Sequence, residues 1–181
     1  MGQEKWIGGE LDALTGTIYG VPGHATQVLR VRPAPGTGSA TEQTGSQQPP
    51  QVDLIGPHFL GKFKWLRGIF CPETRCIYGI PANNTALLKI RCGISPTSID
   101  QGIETVSLVG DGFDDATRNM NWQWHGAVRA PNNGCIYAVP CNATGVLKIE
   151  PVSEEPPTER LSLLREVIAD THADNSEQQK P

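Results

Sequence analysis

The sequence predicts an all-β fold of the β-propeller type, made of three four-stranded antiparallel blades. Three observations lead there. One motif recurs three times, 59 residues apart. Each copy divides into four short strand-like pieces. Gly (20) and Pro (15) punctuate a 181-residue chain with no long helical periodicity before its tail.

The repeat is carried by matched side chains. Trp6, Trp65 and Trp124 recur at the common spacing, as do Ile18, Ile77 and Ile136. So do Tyr19, Tyr78 and Tyr137, then Pro22, Pro81 and Pro140, Thr26, Thr85 and Thr144, and Leu29, Leu88 and Leu147. Strand a of each copy reads KWIGGEL, KWLRGIF or QWHGAVR. Strand b reads TIYGVP, CIYGIP or CIYAVP, and is apolar on both faces, as suits the centre of a stacked sheet. Its final Pro lacks the N–H a ladder needs, so it closes the strand. Strand c reads VLRV, LLKI or VLKI. Strand d reads VDLIG or VSLVG, with LSLLR (161–165) as the third. In c and d apolar and polar residues alternate, the period of a strand with an inner and an outer face. The a–b connections LTG, PETR and PNNG have hairpin-turn chemistry. The blades span about 4–56, 62–110 and 121–166 within a 1–168 segment, ahead of a disordered acidic tail at 169–181. The Gly/Ser/Thr/Gln/Pro-rich connection from Ala34 to Gln51 is expected to be mobile.

Composition removes several function classes. The net charge is −4 with both signs mixed, which lacks the basic field that nucleic acid requires. No apolar run approaches the roughly 18 residues of a membrane span, and MGQEKW resembles no secretory leader. A cytoplasmic location is the expectation, and the five cysteines then read as free, mostly buried thiols. Cys71 and Cys76 flank one hairpin loop, where geometry decides whether they meet.

The combination K-W-x-G-G, then I-Y-G-(I/V)-P, then V-L-K-I, then V-x-L-(I/V)-G resembles the repeats of large eukaryotic β-propeller proteins, loosely similar to kelch and YVTN-type propellers. The likeness covers residues 4–165. It departs from kelch in lacking that family's Tyr and Trp at the right distance after a double glycine. It implies an architecture and no activity, because propellers host enzymes, receptors and scaffolds alike.

In such an architecture the b–c and d–a loops share one end of the molecule. The candidate ligand-binding residues there are His24, Asn83 and Asn142 at equivalent b–c positions, with His58 and Lys64 in one d–a loop and Asp115 in the other. Arg67 joins them as a lone cation near the axis, where the other copies carry Gly8 and Gly126. The plainer role for His24, Asn83 and Asn142 is turn closure, since Asn bonds nearby backbone. That also accounts better than glycosylation for the sequons at Asn83 and Asn142. The repeated Trp reads as core between blades. The acidic run Asp111–Asp115 lacks the alternating ligands of a calcium loop. The sequence points to no catalytic residue, cofactor or metal.

The first functional expectation is a binding module that meets a protein or small molecule, of unknown identity, through its loop face. The alternatives are an enzyme whose site forms only in a completed ring, and a fragment of a larger propeller with no independent function. Rings of this kind close with about four to eight blades. A homodimer completing a six-bladed ring is one route to closure.

Overall fold

The computed structural model describes residues 4–34, 49–93, 104–110 and 121–152, and the backbone of 160–164. Twelve strands and no helix occur among the described residues. They make three separate four-stranded antiparallel sheets, each a meander in chain order. The first holds β1 (Trp6–Asp12), β2 (Thr17–Pro22), β3 (Val28–Arg32) and β4 (Gln51–Ile55). The second holds β5 (Trp65–Cys71), β6 (Cys76–Pro81), β7 (Leu87–Arg91) and β8 (Thr105–Val109). The third holds β9 (Trp124–Arg129), β10 (Ile136–Pro140), β11 (Val146–Glu150) and β12 (Arg160–Leu164).

The register repeats with the sequence. Tyr19 faces Arg30, Tyr78 faces Lys89 and Tyr137 faces Lys148; Ile18 faces Val31, Ile77 faces Ile90 and Ile136 faces Ile149. Each b strand ends on its Pro, as that residue's missing donor requires. The first two d strands stop just short of Gly56 and Gly110. Both glycines have left-handed backbone, φ 81° and 68°, which a ladder does not accommodate.

Backbone strain repeats as well. Residues 4, 63 and 122 all have positive φ, as do 8, 67 and 126, and 16, 75 and 134. The middle set lies in the a strands, and in all three sheets a register shift interrupts the a–b ladder there. Two of that set are glycine. Gly8 has φ 91°, and a Cβ on it would stand 3.0 Å from Arg67 Cα of the next sheet. The a strands of neighbouring sheets therefore run close together, β1 along β5 and β5 along β9.

Two apolar layers hold the sheets face to face. Between the first and second, Tyr19, Val21 and Val28 pack with Trp65, Ile77, Leu88, Ile90 and Cys92. Between the second and third, Tyr78, Ile80 and Leu87 pack with Trp124, Ile136, Ala138, Leu147 and Ile149. Each sheet thus presents its Tyr face forward and its Trp face backward. Trp65 and Trp124 are fully buried core, as the repeated aromatic suggested, whereas Trp6 is only half-buried. Each of the three repeated tryptophans uses its indole N–H: Trp6 donates to Gln27 O (3.0 Å), Trp65 to Ala86 O (2.8 Å) and Trp124 to Gly145 O (2.9 Å).

Ion pairs bind the outer parts of the first junction. Arg30 pairs with Asp53 at 2.9 Å and with Glu104 across the junction. Tyr19 donates its hydroxyl to the same Glu104 at 2.6 Å. Arg75 reaches the fully buried Asp12 at 2.6 Å and also donates to Gly93 O at 2.9 Å. A buried carboxylate without such a partner would carry a large desolvation cost.

All five cysteines are free, and only Cys141 is exposed. Cys71 and Cys76 do face each other in the β5–β6 register. Their thiols nevertheless bond elsewhere, Cys71 to Glu73 Oε2 (3.2 Å) and Cys76 to Thr74 O (3.3 Å). The acidic tail at 169–181, residues 35–48 of the connection between Ala34 and Gln51, and the acidic run 111–115 lie outside the described residues.

Two outcomes follow from this packing. Trp65→Phe is expected to lower the unfolding free energy by about 2–4 kcal/mol, because it removes buried ring volume and orphans the Ala86 carbonyl. Trp6→Phe should cost less than half as much, and urea denaturation giving equal losses would contradict the burial difference. Burial, followed by the neighbouring Asp12 and Cys76, pushes the Cys92 thiol up to about 12. An unfolded thiol ionises near about 8.5, so above that pH the unfolded chain sheds a proton that the folded chain keeps. Stability therefore falls as pH climbs from about 8.5 toward 12. Cys92→Ala should flatten part of that fall when urea midpoints are compared at about pH 8 and about pH 10.

Candidate functional site

One end of the three sheets is built from the b–c turns and the segments leading into the a strands. The same backbone bonds recur in each copy. The N–H of His24, Asn83 and Asn142 donates to the carbonyl of Glu4, Phe63 and Trp122 respectively, at 3.0–3.1 Å. These acceptors are the repeated positive-φ residues, so a tight lead-in turn is what brings its carbonyl under the b–c turn.

A second set of bonds crosses between sheets. Lys64 N–H donates to Gly23 O at 3.2 Å, and Gln123 N–H to Ala82 O at 2.9 Å. The side chains repeat the link: Lys64 Nζ donates to Ala25 O at 2.8 Å, and Gln123 Nε2 to Asn84 O at 3.1 Å. Lys64 Nζ also donates to Gly23 O (2.8 Å) and Gly61 O (3.1 Å), so all three protons have carbonyl partners. Burial pulls the Lys64 pKa below its ordinary value, yet the three carbonyls suit the charged form.

The candidate residues therefore fall into different roles. Lys64 is a buried clamp between sheets and faces no opening. Asn83 spends both ends of its amide, accepting from Trp122 N–H at 2.8 Å and donating to Lys62 O at 3.2 Å. Asn142 donates to Asn121 O at 2.8 Å and is otherwise exposed. Both are turn closers, as asparagine chemistry favours. His24 lays its ring edge-on to Phe63, with centroids 4.3 Å apart. His58 is exposed, and the Phe59 N–H bond to Thr26 O (2.7 Å) holds its segment at this same end. Arg67 is exposed on β5, away from the turns; a Cβ on Gly126 would lie 4.0 Å from Arg67 Cδ. Asp115 lies outside the described residues.

Three aromatic side chains that the sequence reading passed over complete the end. Phe63 and Trp122 occupy one repeat position and lie 4.7 Å apart, centroid to centroid. His125 follows at 6.4 Å from Trp122. The row His24–Phe63–Trp122–His125 so crosses all three sheets. Phe63 and Trp122 are half-buried and His125 is exposed. Within it His24 Nε2 is buried with no hydrogen-bond partner among the described residues. The signal was available in the equal spacing of Phe63 and Trp122. The first copy hides it, because Glu4 stands where the others are aromatic.

The opposite end carries a cavity of about 560 Å³ lined by Cys71, Glu73, Arg129, Asn133, Cys135 and Glu150 among others. Its charges satisfy one another: Glu73 pairs with Arg129 and Lys148 with Glu150. Its own backbone N–H, then the Cys71 thiol, then Arg129 hold the Glu73 carboxyl below the usual range. Among the described residues no three metal-type side chains converge, and no helix is long and apolar enough to cross a membrane.

No family model, curated protein or solved structure matches this chain.

The clamp gives a direct test. Lys64→Met should destabilise the chain by about 1–3 kcal/mol, since it removes the Nζ bonds to the Ala25 and Gly23 carbonyls at a buried position. Lys64→Gln should cost clearly less, because Gln123 makes the equivalent bond at the next junction. Thermal unfolding of both variants checks the order, and equal losses would remove the clamp role.

Proposed function

We propose that the three sheets are blades of a β-propeller-type repeat and that the chain is a non-catalytic binding module. Support for the blade reading comes from three features. Each sheet is a four-stranded meander, its faces stack on its neighbours, and the a strands run side by side as they do around a propeller axis. The kelch- and YVTN-like character of the repeat belongs to the same reading. Five free thiols, four of them buried, suit a protein of the reducing cytoplasm.

The observation that carries the functional reading is the aromatic row at the loop end. Aromatic side chains give large contact area for little conformational entropy and are the commonest anchors of protein interfaces. Here Phe63 and Trp122 hold left-handed backbone, φ 48° and 57°, a conformation that costs bulky residues energy. The repeat imposes that turn, since Glu4 shares it. Two of the three copies use it to set aromatic rings beside each other, next to exposed His58, Lys62, His125 and Asn142. An apolar strip with a polar rim of this kind matches an extended polypeptide segment.

The test is selection of peptides from a random display library on the native chain, followed by titration of the selected peptide. Trp122→Ala should weaken binding by about tenfold or more, the size expected of an interface anchor. Asn132→Ala, in the hairpin at the opposite end, should leave it unchanged. Peptides that bind both variants equally would overturn the loop-end site.

A further inference from the structure

The two outer faces of the three-sheet stack are the two halves of a junction this chain already makes twice. Tyr19 and Val21 on the forward face of the first sheet are buried, and so are Tyr78 and Ile80 on that of the second. On the third sheet the same positions are Tyr137, half-buried, and Val139, 60% exposed, with Val128 beside them 69% exposed. On the backward side, Trp65 and Ile77 of the second sheet and Trp124 and Ile136 of the third are fully buried. Their counterparts on the first sheet are half-buried Trp6 and Ile18, at 38% exposed. Val52 of β4 is 59% exposed, while its counterpart Val106 packs into the first junction.

The polar half of the junction is open in the same way. Lys64 and Gln123 clamp each following sheet to the turn before it. Lys5, the same position in the first sheet, is exposed. The acceptors it would need are the carbonyls of Cys141 and Ala143, which stand where Gly23 and Ala25, then Ala82 and Asn84, accept. Gly23 and Ala82 are buried and Cys141 is exposed.

We infer that the occupant of both faces is a second copy of this chain. The third sheet of each copy packs on the first sheet of the other, through the contacts that Tyr19–Trp65 and Tyr78–Trp124 mark inside one chain. The two unlike faces make a head-to-tail contact, and such a contact must close on itself to give a finite assembly. Two chains supply six sheets, inside the range in which propellers close. The inference rests on the blade reading. It does not depend on the loop-end ligand, and the experiment separates the two.

Sedimentation of the full chain at micromolar concentration should give twice the 19.5 kDa chain mass. Val139→Glu and Val52→Glu each place a charge on one outer face, at side chains already exposed. Each should return the single-chain mass with unchanged circular dichroism. Iodoacetamide supplies a second readout. Cys141 should alkylate about tenfold or more slowly in the wild-type chain than in either variant, because the junction buries its position. A wild-type mass of one chain, a mass of more than two chains, or equal Cys141 rates in all three proteins overturns the inference. A single chain whose selected peptide still depends on Trp122 would overturn the dimer and leave the loop-end site standing.

Discussion

Strand b is apolar on both faces, and most of the architecture follows from that constraint. A sheet centred on I-Y-G-V-P cannot put either side in water at low cost, so it needs a neighbour in front and behind. The Tyr face of one sheet meets the Trp face of the next. Tyr19 and Val21 cover Trp65 and Ile77, and Tyr78 and Ile80 cover Trp124 and Ile136. Among the described residues only the middle sheet has both needs met, and every residue of its b strand is buried.

Polar groups then determine how the faces register. The apolar layers are non-directional and would tolerate some sliding. The clamp from Lys64 or Gln123 to the preceding turn is directional, and so is the Arg75–Asp12 pair at the far side of the first junction. The price in strain is modest and local: the lead-in turn takes positive φ at residues 4, 63 and 122 so that the clamp residue sits under its acceptor. That turn also sets Phe63 beside Trp122. The candidate binding surface is thus a by-product of the geometry that joins the sheets, decorated differently in each copy.

Much of this was legible in the sequence. The 59-residue period, the four strands per copy and the closing Pro all match the observed elements to within a residue or two at most ends. Periodicity works here because alternation and turn residues act locally. The candidate site was less legible. His24, Asn83 and Asn142 were correctly grouped by repeat position, but the grouping alone could not separate a turn closer from a ligand contact. Lys64 looked like a loop cation and is a buried clamp, because its partners are three carbonyls 39 to 41 and 3 residues away. The role of Phe63 and Trp122 is hidden for the same reason: it lies in a contact across 59 residues.

The sequence by itself determined the number of repeats, the strands within each, their order and the turns between them. These depend on period-two burial, on Pro and Gly backbone preferences and on Asn chemistry, all properties of short segments. The tertiary structure alone decided which face of each sheet meets which, that Cys71 and Cys76 oppose each other without bonding, and that unlike apolar faces remain at the two ends of the stack. Those outcomes depend on distances between residues far apart in the chain, and a repeating pattern does not contain them. A three-fold repeat looks the same in each copy. Stacking makes the copies unequal, because only the middle one has two neighbours.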